Sequence, residues 1–320
     1  MAEVTEATVE SYFTTLSNWG RWGTDDRKGT LNLITPEVRQ AGAAAVRHGR
    51  SVSLSRNIDP LNPDPLYSGV AVVQRFMGLN EVKDHVGREL RYEALTEYIG
   101  IAPHGSNTHV DGLAHYSWEG KNYNGFPADA ASSRFGSPYL DVTAASDGIV
   151  TRGVLLDIAG LFGVPYVERG YAITPDDLAA AETRQGITVA PGDALLIHTG
   201  NAAVIQSEGP DYVESFGRRV NKQAGLHLTC LPYLRDLDIA VMGADATHDV
   251  QPAYLADRSF SRPIHSVCLV ALGLWLIDNM ELADLAQACA ELQQWDFLFT
   301  VAPWRMLGVT SSPVNPVAVL

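Results

Sequence analysis

Three unbroken apolar runs rich in β-branched residues most constrain how this chain can fold: IVTRGVLLDIA (149–159), ALLIHTG (194–200) and DIAVMGAD (238–245). A strand with one wet face alternates apolar and polar residues. A continuously apolar strand is buried on both faces, as in sheets covered by helices on either side. A helix lies between the first two runs: Thr174 as N-cap, Pro175, then DDLAAAETRQ ending at Gly186. Further helices are predicted over 8–18, 36–48 (with Pro36 at a permissible first position), 226–236, 264–273 and 281–292, and strands over 52–58 and 69–76. NWGRWGTDDRKGTLNLI, between the first two helices, reads as an ordered loop. The alternation predicts an α/β domain with a central mixed sheet spanning residues 1–320. Residues 1–50 form a helical extension packed on it, with hairpins near the N-terminus.

Composition narrows the function. A formal charge of −14 repels phosphates over most of the surface, which argues against nucleic-acid and anionic-membrane partners. No apolar run approaches the roughly 20 residues that span a bilayer. The start, MAEVTEATVESYF, lacks the basic and apolar regions of a signal peptide. Cys230, Cys268 and Cys289 are odd in number and sit in apolar contexts, which suits a reducing compartment. The expectation is a cytoplasmic enzyme with a small-molecule substrate.

The chemistry concentrates in HGSNTHVDGLAHY (104–116), which brings His104, His109, Asp111 and His115 together. In an extended segment His109 and Asp111 leave the same face, as two ligands of one ion require. Gly112 permits a turn that swings His115 back towards them. Imidazole with carboxylate and no nearby thiolate suits Zn²⁺ or Mn²⁺.

These residues resemble the cyclase family of metal-dependent hydrolases, which includes kynurenine formamidase and isatin hydrolase. Its motif is His-x-Gly-Thr-His-x-Asp-x-x-x-His, and THVDGLAH (108–115) matches the second half. WEGKNYNG (118–125), PGDALLIHTGNA (191–202), the strand into Asp245, HSVCLVALGLWLIDNMELADLA (265–286) and SSPVNP (311–316) are similar to the longer branch of the family. The resemblance implies a swivelling β/β/α fold and a homodimer or homotetramer. It also implies that His109 and Asp111 are metal ligands, that His115 is the catalytic base and acid, and that His265 serves a second ion bridged by Asp111. Trp22, Asn32, Tyr123 and Asn124 fall in loops that resemble the family's pocket elements, and Tyr116, Trp118 and Tyr123 would suit a flat substrate.

Two departures stand out. His104 lies five residues before His109 where the motif has four, so it needs a bulge over 105–107 to aim inwards. The partner of His265 is Asp278, where shorter members have a glutamate. Thirteen residues on one helix would put Asp278 off the face of His265, so the segment must break, plausibly at Gly273, with Asp278 in a strand. With both outer positions weakened, at most one divalent ion per chain is expected. His198, at a strand end, and Asp245, after an apolar strand, are candidates for orienting the ligands. The leading function is metal-assisted hydrolysis of an amide or ester carbonyl, often cyclic. An elimination, isomerisation or ring closure at the same site is the alternative, and an inactive binding or scaffold member a further one.

Overall fold

The computed structural model describes residues 5–58, 73–77, 96–105, 107–215, 218–253 and 262–320. His85 and the first part of the 69–76 run lie outside them. The helices are α1 (Glu6–Thr15), α2 (Pro36–Ala44), α3 (Ile158–Phe162), α4 (Pro175–Gln185), α5 (Asn201–Glu208), α6 (Cys230–Leu237), α7 (Pro263–Val267) and α8 (Ala283–Leu292). The main sheet contains β1 (Ser51–Ser53), β2 (His109–Asp111), β3 (Ile149–Asp157), β4 (Ala194–His198), β5 (Val241–Ala244), β6 (Trp275–Asp278), β7 (Asp296–Val301), β8 (Ser311–Pro313) and β9 (Val317–Val319).

The three apolar runs are adjacent in space. The order across the sheet is β1-β9-β7-β3-β4-β5-β6-β2-β8. Strands β3 to β6 run parallel, and the strands flanking them pair antiparallel. A mixed α/β architecture with a large central sheet is therefore the fold, as the alternation predicts. Every residue of β4, β5 and β6 is buried. In β3, Val150 and Arg152 remain partly exposed in the half that pairs with β7. Arg152 there forks onto Asp193, with contacts of 2.6 and 3.0 Å.

Local chemistry explains the helix ends. In α4 the Thr174 hydroxyl accepts from the Asp177 amide while the Asp177 carboxylate accepts from the Thr174 amide, and Gly186 closes the helix with a left-handed φ of 63°. Several predicted elements are shorter than expected. The second helix stops at Ala44, and the 226–236 helix begins only at Cys230, because Gly225–Leu226 pairs with Ala172–Ile173 as a short parallel ladder. The 52–58 strand narrows to β1, and Val73–Met77 forms an antiparallel pair with Thr96–Gly100. The apolar segment DFLFTVAPWRMLGV (296–309) splits in two: β7 lies inside the sheet, whereas Trp304, Met306 and Leu307 are exposed.

The sheet places the site. Strand β2 lies between β6 and β8, with His109 opposite Asp278 and Asp111 opposite both Leu276 and Ser311. Directly opposed residues share a face, so three chemical groups from two strands converge. Helix α7 continues into a π-helical turn (Cys268–Leu272), and Gly273, at φ 64°, reverses the chain into β6. The helix therefore breaks at Gly273 and Asp278 sits in a strand, as the geometry of His265 demands.

Candidate metal centre

Asp111 is the hub. Its carboxylate is 2% exposed and has four imidazoles around it: His104 Nδ1 at 3.0 Å, His109 Nε2 at 3.6 Å, His115 Nε2 at 3.8 Å and His265 Nε2 at 4.0 Å. Burial by itself would raise the Asp111 carboxyl, but His104, His109 and His115 outweigh it and hold the group below its ordinary range. Asp278 follows the same logic: burial opposes its charge, and His265 at 3.2 Å overcomes that and keeps it ionised. For His265 burial would favour the neutral ring, yet Asp278 and Asp249 raise its pKa well above the usual value.

Among the described residues, two sets of three side chains have ligand atoms within 4.8 Å of one another: His104, His109 and Asp111, and Asp111, His265 and Asp278. Asp111 belongs to both. Its Oδ1 and the Oδ1 of Asp278 are buried without a hydrogen-bond donor. Buried carboxylate oxygens normally find a donor or a cation. Unpartnered anionic oxygens beside imidazole nitrogens therefore fit a divalent cation, and the His/Asp donor set suits Zn²⁺ or Mn²⁺.

The backbone aims each ligand. His109 Nδ1 donates to the Asn107 carbonyl at 2.8 Å, which leaves the Nε2 lone pair available to a cation. His104 Nδ1 lies 3.0 Å from Asp111 Oδ1, and Ser106, within the 105–107 segment where a bulge is expected, lies outside the described residues. The chain turns at Pro103–Gly105, where the Gly105 amide donates to the Pro103 carbonyl, and β2 begins only at His109. His104 Nε2 also meets Thr310 Oγ1 at 3.1 Å. Both grounds for expecting a single ion, a misaimed His104 and an Asp278 too short to reach, are thus absent from the geometry.

His115 belongs to neither triad. Its ring stacks on His104 at 3.8 Å, meets the edge of Tyr116 at 4.7 Å, and is 27% exposed. Burial first, then the positive potential of His104 and His265, brings its pKa down to about 4. Tyr116 also lies 5.7 Å from His265, ring to ring, and burial raises its pKa, so the phenol keeps its proton.

Other candidates have different surroundings. Asn32 donates to Asp26 and to the Gly29 carbonyl. Asn124 donates to the Gly23 and Thr24 carbonyls, and Tyr123 donates to Asp26. The Trp22 ring lies under Arg21. Tyr123 and Asn124 thus tie the 118–127 segment to the ordered N-terminal loop, while the contacts of Trp22 and Asn32 stay within that loop. Trp118 stacks on Phe13 at 4.5 Å. His198 bonds Asp157 at 2.8 Å across adjacent strand ends, away from the triads. Asp245 accepts from the amides of Thr199, Gly200 and Asn201 at the start of α5, not from a ligating imidazole. The residues that touch the ligands are the next acidic and imidazole groups along: Asp249 holds His265 Nδ1 at 2.5 Å, and His248 Nε2 stands 3.3 Å from Asp278 Oδ1. Asp245, His248 and Asp249 all lie in GADATHD (243–249), and a position just after an apolar strand points to Asp245; only the path of the loop beyond β5 brings Asp249 to α7.

A family model for cyclases matches residues 50–248, more than half of the chain. Among solved structures, one described as a novel cyclase superposes with a TM-score of 0.82 at 29% identity, covering 96% of this chain and 99% of that one. An isatin hydrolase bound to the product analogue thioisatinate gives 0.57 at 15% identity, covering 90% and 99%. Isatin hydrolase A from Labrenzia aggregata, bound to benzyl benzoate, gives 0.54 at 18% identity, covering 86% and 94%. These two share the fold. No curated protein matches the chain.

Proposed function

The chain belongs to the cyclase family, and from that premise we propose that it is a metal-dependent hydrolase opening an amide or ester carbonyl, often part of a ring, in a small substrate. The observation that carries this reading is Asp111, a buried carboxylate shared by two metal-competent triads and flanked by His115, which neither triad uses. His104, His109 and Asp111 would hold one cation, and Asp111, His265 and Asp278 a second. A bound divalent ion supplies Lewis acidity, lowering the pKa of water from about 15.7 towards about 7 and polarising a carbonyl oxygen.

The chain's own residues do the rest. His115 is neutral at pH 7, so Nε2 offers a lone pair that takes a proton from the attacking water and returns it to the leaving nitrogen or oxygen. Asp111, 3.8 Å away, stabilises the imidazolium formed in between. The protonated hydroxyl of Tyr116 is a donor for the substrate carbonyl, and the stacked rings of His104 and His115 offer a flat wall to a ring. The names of the isatin hydrolases that share the fold put ring-bearing carbonyl compounds first in a substrate panel.

The test is hydrolysis of isatin, lactones, cyclic imides and N-acyl anilines by zinc- or manganese-loaded protein, followed as acid release. Metal-dependent release from at least one class, lost in His115→Ala, is expected. Turnover that is insensitive to chelation, or conversion without uptake of water, would refute the proposal.

A further inference from the structure

Asp249 lies outside both triads, yet it is 1% exposed and its carboxylate is committed to the start of α7. Oδ2 lies 2.5 Å from His265 Nδ1 and 3.4 Å from the His265 amide, while Oδ1 accepts from the Ile264 amide at 2.7 Å. We propose that Asp249 is a positioning residue for the metal centre: it holds the proton on His265 Nδ1 and so keeps Nε2 turned towards Asp278 and Asp111 as the ligand atom. This inference rests on the metal-centre reading above.

An imidazole with one nitrogen tied to an acceptor has its donor assigned there, and the other nitrogen is left to coordinate. Here the second nitrogen is 3.2 Å from Asp278 Oδ2 and 4.0 Å from Asp111 Oδ2. The two buried ligating imidazoles are anchored differently. His109 is held at Nδ1 by a neutral backbone carbonyl and His265 by a charged carboxylate, which is the stronger acceptor and makes the ring the better donor to a cation.

The loop that carries Asp249 has no room to retreat. Gln223 Nε2 donates to the Asp249 carbonyl at 2.9 Å and to Thr247 Oγ1 at 2.7 Å, and the Leu226 amide donates to the His248 carbonyl at 2.8 Å. A Cβ on Gly225 would lie 2.6 Å from the Asp249 carbonyl carbon, so only glycine permits this approach. A carboxylate fixed so tightly against one ring nitrogen does more than start a five-residue helix.

Asp249→Asn separates the two roles, because the amide oxygen can still accept from the Ile264 amide while the negative charge facing His265 Nδ1 is gone. Zinc binding measured by competition with a chromophoric chelator is expected to weaken by about 10- to 100-fold in the folded variant. Nitrogen-15 NMR of zinc-loaded wild type should show His265 protonated at Nδ1 and coordinated through Nε2. Zinc affinity within about twofold of wild type, or coordination through Nδ1, would overturn the assignment. If Asp249→Asn does not fold, the wild-type NMR result decides. Wild type that binds zinc as well as the variant does removes this inference alone. Wild type that takes up no zinc removes the metal-centre reading, and this inference with it.

Discussion

Gly273→Ala tests the turn on which the second triad depends. At φ 64° an alanine enters the left-handed region, which costs about 1–2 kcal/mol. The new Cβ would also lie 2.5 Å from Tyr123 Cε2 and 2.8 Å from Cδ2. That ring is fully buried and anchored through its hydroxyl to Asp26 at 3.0 Å, so it cannot yield cheaply, and overpacking adds about 1–3 kcal/mol. The sum, about 2–5 kcal/mol, is a large share of the roughly 5–15 kcal/mol that holds a typical domain together. The same turn sets the 3.2 Å approach of Asp278 to His265, so zinc affinity should fall as well. Urea denaturation of metal-free protein gives the first quantity and chelator competition the second. A loss of stability below about 1 kcal/mol with unchanged zinc affinity would show that the turn neither resists a side chain nor positions the ligands.

Three further outcomes are expected. His115→Ala should lower kcat by about 10²- to 10⁴-fold while metal content measured by elemental analysis stays at the wild-type level; loss of metal would make His115 a ligand instead of a base. Stability should depend on pH through the His198–Asp157 pair. Burial would lower the imidazole, but the Asp157 bond and Asp245 outweigh it and raise its pKa; burial would likewise raise Asp157, and the His198 bond outweighs that and lowers it. The pair's contribution is therefore complete between about pH 4 and 6.5, shrinks as the pH rises through the folded pKa of His198, and fades on acidification through the folded pKa of Asp157. The stability gap between wild type and Asp157→Asn in urea should accordingly be wider at pH 5.5 than at pH 9, and a gap independent of pH would contradict the pairing. Finally, we propose that the chain forms a homo-oligomer through the exposed Trp304, Met306, Leu307 and Phe135, of which Leu307 is 82% and Phe135 74% exposed. Light scattering should report at least a dimer, and a monomer mass at micromolar concentration would dismiss it.

Much of this was legible in the sequence because it depends on local rules. Two-residue spacing puts His109 and Asp111 on one face, and the thirteen-residue step from His265 to Asp278 requires a break, which Gly273 supplies. The apolar runs announced strands buried on both sides, apart from the half of β3 that meets an antiparallel neighbour. What was not legible depends on where loops travel. Register alone could not carry His104 inwards, because a turn rather than a strand precedes β2. Nothing local distinguishes Asp245 from Asp249: one serves the start of α5, the other the ring of His265, and only the three-dimensional path beyond β5 separates them. Trp22, Asn32, Tyr123 and Asn124 have side chains that suit a binding pocket equally well. In the structure Tyr123 and Asn124 fasten the 118–127 segment to the N-terminal loop, and Trp22 and Asn32 make contacts within that loop.

Asp111 is proposed to join two groups of ligands around divalent metal. Anomalous diffraction at the zinc absorption edge, from crystals grown with zinc, shows whether it does. Density is predicted against the Asp111 carboxylate on both sides, one peak with His104 and His109 and the other with His265 and Asp278. An anomalous map with no peak beside Asp111, or with zinc held only by other residues, would contradict the account.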